Sequence, residues 1–347
     1  MSIQSPMIDK VKAALMSIQR RSWEQGECMQ ALLELRDYDT MITFAREASY
    51  IKLDDGRITL TTEWEKGTVT DTCACGEALM LAAQLTGDRL IKEAYEALLN
   101  FALNHPYRNA DGIMYHLTAA PEFWVDSIYM MPPFMAAAGY YEEAVKQINA
   151  YWDALYNPEI KMLDWIWDDE KKEFVRRRHR SICTGYAAVG IVKVAARLPE
   201  SMKAEKDDLM EKGKIVIDSI LKFIDDDGVC HDTLDDPNSI IGINAVSMVA
   251  GAIYRAMAAG YMLEYKEIAD KLRASLHSKV DPYGFLWGVC GVPDNNKAGI
   301  SANGQSFFLQ MEAAYYDYKA ADPNAWHNTM FKGNLGNVSD YMGVISE

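Results

Sequence analysis

The chain has 347 residues, 49% hydrophobic and 24% charged, which is enough apolar material for a sizeable core and excludes a disordered polypeptide. A net charge of −15 and a pI near 4.9 argue against nucleic acid or an anionic membrane surface as partner, since both attract basic patches, and point to a small molecule instead. The opening "MSIQSPMIDKVKAALMSIQRR" lacks the unbroken apolar core of a signal peptide, and the six cysteines, at 28, 73, 75, 183, 230 and 290, lack a disulfide-framework spacing. Reduced thiols in a cytoplasmic protein are expected.

From the N-terminus onward the periodicity is helical, and two kinds of segment alternate. "MIDKVKAALMSIQ" carries charge on one face and predicts an exposed amphipathic helix; "SWEQGECMQALLEL", which follows, reads as buried on all sides. The pattern repeats in "YDTMITFAREASYI" and "TDTCACGEALMLAAQL", then "RLIKEAYEALLNFAL" and "WVDSIYMMPPFMAAA". It continues in "YEEAVKQINAYWDAL" and "SICTGYAAVGIVKVAARL", "EKDDLMEKGKIVIDSILKFI" and "NAVSMVAGAIYRAMAAG", and finally "EYKEIADKLRASLHS" and "SANGQSFFLQMEAAYY". The buried members start near Trp23, Asp71, Asp126, Thr184, Asn244 and Ser301, roughly 50 to 60 residues apart, which is room for two helices and their loops. Helices that are apolar all round need cover on every side, so the expected fold is all-α, a closed (α/α)6 barrel in one domain over 1–347. The apolar stretch from Ala245 to Leu263 is interrupted by Arg255 and suits a buried helix better than a membrane span.

In such a ring the inner helices run parallel and open their N-termini at one end. Trp23, Glu24, Asp71, Asp126, Thr184, Asn244, Asn303 and Gln305 would gather there. Each polar member taken alone is most simply an N-cap. Six in register around one mouth suggest a site, and the six helix N-termini would favour an anionic group there. Asp126 stands out because its surroundings, "EFWVDSIYMMPPF", are aromatic and apolar, which raises a carboxyl pKa and suits a proton donor. Cys73 and Cys75 form a CxC with no second ligand cluster nearby, so small core residues are the simpler reading; neither a metal nor an organic cofactor is expected.

The segments "RRSWEQGECMQALLEL", "FWVDSIYMMPPFMAAAG", "TGYAAVGIVKVAARLP" and "DPYGFLWGVCGVPDNNKAGISANGQSFFLQMEAAYY" resemble the unsaturated rhamnogalacturonyl hydrolases, glycoside hydrolase family 105, kin of the family 88 unsaturated glucuronyl hydrolases. The W-x-D-x-x-Y-M-x-x-P-F block is the most specific part. The resemblance implies an (α/α)6 barrel that removes a 4,5-unsaturated uronic acid from the non-reducing end of lyase-generated oligosaccharides. It implies Asp126 as the acid that protonates C4 and then serves as base, with Asp71 fixing a sugar hydroxyl and tuning it. His116 matches a family histidine that contacts the sugar, with a surface-loop histidine as the alternative. Trp23, Trp124, Tyr129, Trp165, Trp167, Thr184, Tyr186, Arg180 and Asn303 fall at further substrate-facing positions.

The chain departs from the family pattern where W-x-R-G-N-G-W is replaced by Arg180-Ser181-Ile182-Cys183-Thr184-Gly185-Tyr186. Histidine-x-Trp-Asp becomes Trp165-Ile166-Trp167-Asp168, and Ser-x-Glu-Gly-Gln becomes Ser301-Ala302-Asn303-Gly304-Gln305. The run Arg176 to Arg180 either supplies a replacement cation or forms a solvated basic face. A monomer or homodimer acting on a small unsaturated oligosaccharide is expected. An inverting glycosidase with Asp71 or Glu24 as base, and an inactive sugar-binding protein, are the alternatives on the same fold.

Overall fold

The computed structural model describes residues 2–58, 66–291 and 296–320. The expected domain boundary at 347 falls in a tail, 321–347, that lies outside the described residues.

In chain order the helices are α1 (Pro6–Ile18), α2 (Ser22–Glu34), α3 (Tyr38–Tyr50), α4 (Gly76–Thr86), α5 (Arg89–Asn104), α6 (Ser127–Met130), α7 (Pro132–Ala137) and α8 (Tyr141–Leu155). They continue with α9 (Ser181–Arg197), α10 (Lys203–Leu221), α11 (Asn244–Ala258), α12 (Lys266–Ser278) and α13 (Ala302–Lys319). The inner set is α2, α4, the pair α6 and α7, α9, α11 and α13. Each packs on the next, and α13 returns to pack on α2, so the ring closes. The outer set, α1, α3, α5, α8, α10 and α12, lies against it.

The alternation of surfaces accounts for the layering. Outer α5 buries Ile91, Ala94, Leu98, Phe101 and Ala102 at three- and four-residue spacing, and Asp88 caps it by accepting from the Leu90 and Ile91 amides at 2.8 and 3.2 Å. Inner α9 is buried at every position from Ser181 to Arg197. Inner helices approach closely at glycines: a Cβ on Gly26 would come within 2.6 Å of Ala74 Cβ, and one on Gly190 would collide with the Ile128 carbonyl. Among the described residues, no helix is long and apolar enough to cross a membrane.

Two expectations are corrected. "WVDSIYMMPPFMAAA" is not one helix, because Pro132 and Pro133 have no N–H to donate and the segment breaks into α6 and α7. The start "TDTCAC" likewise winds as a tighter 3-10 turn, Asp71–Cys75, before α4. Both breaks occur on the turns that carry the two candidate acids.

Short strands dress the mouth: β1 (Glu122–Trp124), β2 (Tyr156–Asn157), β3 (Met162–Leu163), β4 (Ile166–Asp168) and β5 (Glu173–Arg176), followed by β6 (Val289–Cys290) and β7 (Ala298–Gly299). β4 pairs antiparallel with β1 on one side and β5 on the other, opposing Trp124 to Ile166. The Val125 amide then donates to the Trp165 carbonyl at 3.1 Å, which delivers Trp165 to the flank of Asp126.

Deeper among the inner helices lies a buried ion-pair network. Arg197 grips Glu77 with two bonds of 2.6 and 2.7 Å, Arg255 donates to Glu34 at 2.6 Å, and Lys193 stands 3.4 and 3.5 Å from Glu34 and Glu77. Lys193, Arg197 and Arg255 lie near the C-termini of their inner helices, where cations complement the helix dipole.

Candidate active site

Asp126 occupies the N-cap position of α6 but makes no capping bond with its side chain. Instead, half-buried at the mouth, it accepts from Trp165 Nε1 at 3.1 Å on Oδ2 and from the Cys183 thiol at 3.3 Å on Oδ1. Burial raises its pKa above the ordinary carboxylate value, while Cys183, its own backbone N–H, the Arg180 charge and Trp165 pull the other way without cancelling it. Burial thus shifts Asp126 toward its protonated form.

Asp71 opens the 3-10 turn and is buried. Its Oδ1 lies 3.9 Å from His116 Nε2, beyond a hydrogen bond and close enough for one ligand hydroxyl set beside the pair to reach both. His116 is buried, so the surface-loop alternative fails. Its Nδ1 lies 2.8 Å from the Thr70 hydroxyl and 3.0 Å from the Ser127 hydroxyl, which themselves meet at 3.0 Å. Trp124 stacks on the imidazole at 4.4 Å, and burial lowers the His116 pKa to about 3. The ring is therefore neutral at physiological pH.

Trp165 connects this centre to Arg180, whose guanidinium lies 5.3 Å from the indole ring centroid. Arg180 donates to Asp232 at 3.2 Å and to Cys290 Sγ at 3.3 Å. The basic run keeps its solvated face, with Arg176, Arg177 and Arg178 exposed, and is tied down at the same time by carboxylates. Arg177 binds Asp164 at 2.9 Å, Arg178 binds Asp232 at 3.0 Å, and His179 lies between Asp235 and Asp164 at 2.7 and 3.1 Å. A cavity of about 610 Å³ opens beside Arg178, Arg180, Asp232 and Asn238. Neither Asp71 nor Asp126 lines it; the cavity lies on the Arg180 side of these two candidate acids.

Beneath the mouth lies a polar and aromatic layer. The Tyr186 hydroxyl donates to Glu27, Asn303 Nδ2 donates to the same oxygen at 3.0 Å, and Asn244 Nδ2 donates to Asn303 Oδ1 at 2.8 Å. Tyr129 stacks on Tyr186 at 5.3 Å. Burial pushes Glu27 well above its ordinary pKa, against the lowering effect of Tyr186 and Asn303. Tyr129, Tyr186, Thr184 and Asn303 are thus buried and form the floor, with the Thr184 hydroxyl bonded to the Arg180 carbonyl at 2.9 Å. Trp167 packs edge-on against Phe174, and Trp23 packs partly buried against the core.

The N-cap reading holds for Ser301, whose hydroxyl accepts from the Gly304 amide at 3.1 Å; Gln305 bonds the Leu286 amide and the Gly284 carbonyl. Sequence reasoning missed Cys183, Glu27 and Asp232. Cys183 directly precedes Thr184 but reads only as one of six reduced thiols, while Glu27 lies one helical turn inside Glu24; Asp232, in a loop, gives no periodic signal. Cys73 and Cys75 are buried, with burial pushing the Cys75 thiol up to about 12. No group of three or more His, Cys, Asp or Glu among the described residues is placed to hold a metal ion.

The chain matches the profile of Glycosyl Hydrolase Family 88 over residues 5–330. It is 23% identical over 224 residues to the unsaturated rhamnogalacturonyl hydrolase YesR of Bacillus subtilis (strain 168), covering 60% of this chain and 63% of that relative, under two thirds of its length. A possible member of family GH105 from Klebsiella pneumoniae superposes with a TM-score of 0.76 at 19% identity, covering 90% of this chain and 92% of that one. The unsaturated glucuronyl hydrolase of Bacillus sp. GL1 does so with a TM-score of 0.67 at 13% identity, over 91% and 96%. At these identities the structural likeness speaks to the fold, the six-hairpin toroid.

Proposed function

The chain belongs to Glycosyl Hydrolase Family 88, and from that premise we propose that it removes a 4,5-unsaturated uronic acid, of the galacturonyl type, from the non-reducing end of oligosaccharides left by polysaccharide lyases. The galacturonyl preference follows the name of the curated relative. The observation that carries the reading is the environment of Asp126, a partly accessible carboxyl held by one indole N–H and one thiol, with burial favouring its protonated form.

The chemistry needs one such acid. In the unsaturated sugar the C4=C5 bond is conjugated to the carboxylate and attached to the ring oxygen, so it is an enol ether. Asp126 delivers its proton to C4, and the π electrons form the new C–H bond. Positive charge develops at C5, shared with the ring oxygen. Water adds at C5 and returns a proton to Asp126, which is restored. The hemiketal opens and the aglycone leaves. Asp71 and neutral His116, 3.9 Å apart, both bind one sugar hydroxyl set beside them, and Trp124 supports the imidazole. The inner-helix N-termini, with Arg180 nearby, favour the substrate carboxylate. The scheme uses a carboxylic acid and water, without a metal or organic cofactor.

The test is loss of ultraviolet absorbance of an unsaturated galacturonyl disaccharide. Asp126→Asn is nearly isosteric and cannot transfer the proton, so the rate should fall by about 10²–10⁴ or more. Asp71→Asn should cost less. Retention of more than about a tenth of the rate by Asp126→Asn would rule Asp126 out as donor. Cleavage of the saturated disaccharide at a comparable rate would favour an ordinary glycosidase instead.

A further inference from the structure

Asp126 is held by two donors of unequal character, and the inequality has a chemical consequence. The indole N–H of Trp165 can only donate, and an unprotonated Oδ2 is the better acceptor for it. The transferable proton is therefore favoured on Oδ1. That oxygen faces the Cys183 thiol at 3.3 Å, and a thiol both donates weakly and accepts.

We propose that Cys183 is a positioning residue for the reaction: its thiol holds Oδ1 of Asp126, donating when that oxygen is ionised and turning aside or accepting when the oxygen carries its proton. The inference rests on the hydration reading above. Because S–H is a poor donor, it steadies the carboxylate less than a hydroxyl or amide would, and so leaves Asp126 available as an acid. The thiol is itself buried, and burial pushes its pKa well above the ordinary range, with the Asp126 charge adding to the effect. Cys183 therefore stays S–H and serves as a hydrogen-bonding group rather than a nucleophile.

The other groups around Asp126 do not duplicate this role. From the start of α9, Arg180 contributes charge at longer range, and it is shared with Asp232. Tyr186, also on α9, gives its hydroxyl to Glu27. On the neighbouring inner segments, His116 is bonded through Nδ1 to Thr70 and Ser127, while Asp71 faces its Nε2. The backbone N–H of Asp126 acts on its own carboxylate. Cys183 is the side chain that contacts Oδ1 with a group able to change its hydrogen-bonding sense.

The experiment measures kcat/KM against pH on the unsaturated disaccharide for the full-length wild type, Cys183→Ala and Cys183→Ser, alongside the infrared S–H stretching band. Alanine removes the donor and should move the alkaline midpoint up; serine substitutes a stronger donor and should move it down, each by roughly one pH unit or less. A purely structural role would not produce opposite shifts. In the wild type one S–H band should move with the same midpoint as the rate, and that movement should disappear in Asp126→Asn. The band is read on the wild-type thiol and does not depend on the Cys183 variants folding. Equal midpoints in all three proteins, shifts of the same sign, or S–H bands indifferent to pH would overturn the proposal. A wild type that leaves the absorbance unchanged would overturn the hydration reading instead, while the band would still report whether the thiol follows Asp126.

Discussion

The indole of Trp124 lies on the imidazole of His116 with ring centroids 4.4 Å apart and 14° between the planes. The stack excludes water from one face of a histidine whose Nδ1 is already engaged by Thr70 and Ser127. Burial, with no carboxylate in hydrogen-bond contact, accounts for a pKa lowered to about 3. His116 should therefore bind substrate as a neutral ring and contribute no ionisation to the pH–rate profile. Its ring-proton NMR resonance should be flat from about pH 5 to 8, around the ordinary histidine value near 6.5. A midpoint near 6.5 would contradict this.

The same depression has a stability consequence. A histidine that ionises near 6.5 when unfolded and about 3 when folded binds more protons in the unfolded chain between those values, so stability is present above the unfolded pKa and lost as pH falls. His105 is also lowered to about 3, by burial first and then by Arg108 and Arg57. Each should remove about 1.4 kcal/mol of stability per pH unit on acidification below about 6. Asp126 and Glu27 act with opposite sign, since their raised pKa values favour the fold below the ordinary carboxylate range and cost stability as pH rises through it. Between pH 7 and pH 5 the stability of His116→Gln, read by urea unfolding, should respond less unfavourably to acidification than that of the wild type.

Trp165→Phe keeps the ring and deletes the N–H that Oδ2 accepts. A hydrogen bond to a charged group contributes about 1.5–3 kcal/mol, so the ionised form of Asp126 should lose stability and its pKa should rise by one unit or more, taken as an order of magnitude. The alkaline limb of kcat/KM should move up. The plateau should fall by about tenfold as the carboxyl loses its fixed orientation. An unchanged limb with an unchanged plateau would show that Trp165 only packs.

The fold was legible because its repeat is a property of composition: charged-faced helices alternate with helices apolar on every side, and only a closed ring buries the second kind. The register of Asp71 and Asp126 was legible for the same reason, through the starts of the inner segments, whereas His116 was legible only through the family resemblance. The hidden part depended on contacts between distant segments. Nothing local in "RRRHR" shows that Arg178 and Arg180 share Asp232, more than fifty residues onward, and a run of cations read by itself looks solvated. Nor does a cysteine in an apolar helix announce that its thiol reaches a carboxylate 57 positions away. Tyr186 and Asn303 were read as facing substrate; what the sequence could not supply was Glu27 beneath them, which takes up their polar atoms.

Gly190 on α9 leaves no space for a side chain, since a Cβ there would meet the carbonyl of Ile128 and the Cα of Tyr129. Those atoms belong to the turn that carries Asp126, so the clash is with backbone and relief must move α6 or α9. Gly190→Ala should destabilise by about 1–3 kcal/mol, read as a lower urea midpoint, despite alanine's better helix propensity. It should also lower kcat more than KM changes, because the displaced group is the acid. A stabilised variant would mean that the two inner elements are less tightly apposed than described.

The last prediction concerns the buried ion-pair network, where Arg197 and Lys193 flank Glu77 and Arg255 and Lys193 flank Glu34. Burial opposes ionisation of Glu77, but Arg197 first and then Lys193 outweigh it and hold its carboxyl at about 2; burial lowers Lys193 to about 8 even with two glutamates beside it. Removing one cation should be costly, because the carboxylate left behind is sealed from water. Arg197→Met should destabilise by about 3–5 kcal/mol, the usual consequence of breaking a buried pair. It should also raise the Glu77 pKa, so that the remaining stability improves rather than declines on modest acidification toward pH 5. Arg197→Met with Glu77→Gln should recover much of the loss, because the stranded charge is then gone. If the single variant lost less than about 1 kcal/mol, Lys193 alone would be sufficient for Glu77 and the bidentate bond would be dispensable. Activity measured well below the unfolding midpoint should change less than stability in either variant, since neither Arg197 nor Glu77 bonds Asp126, Asp71 or His116.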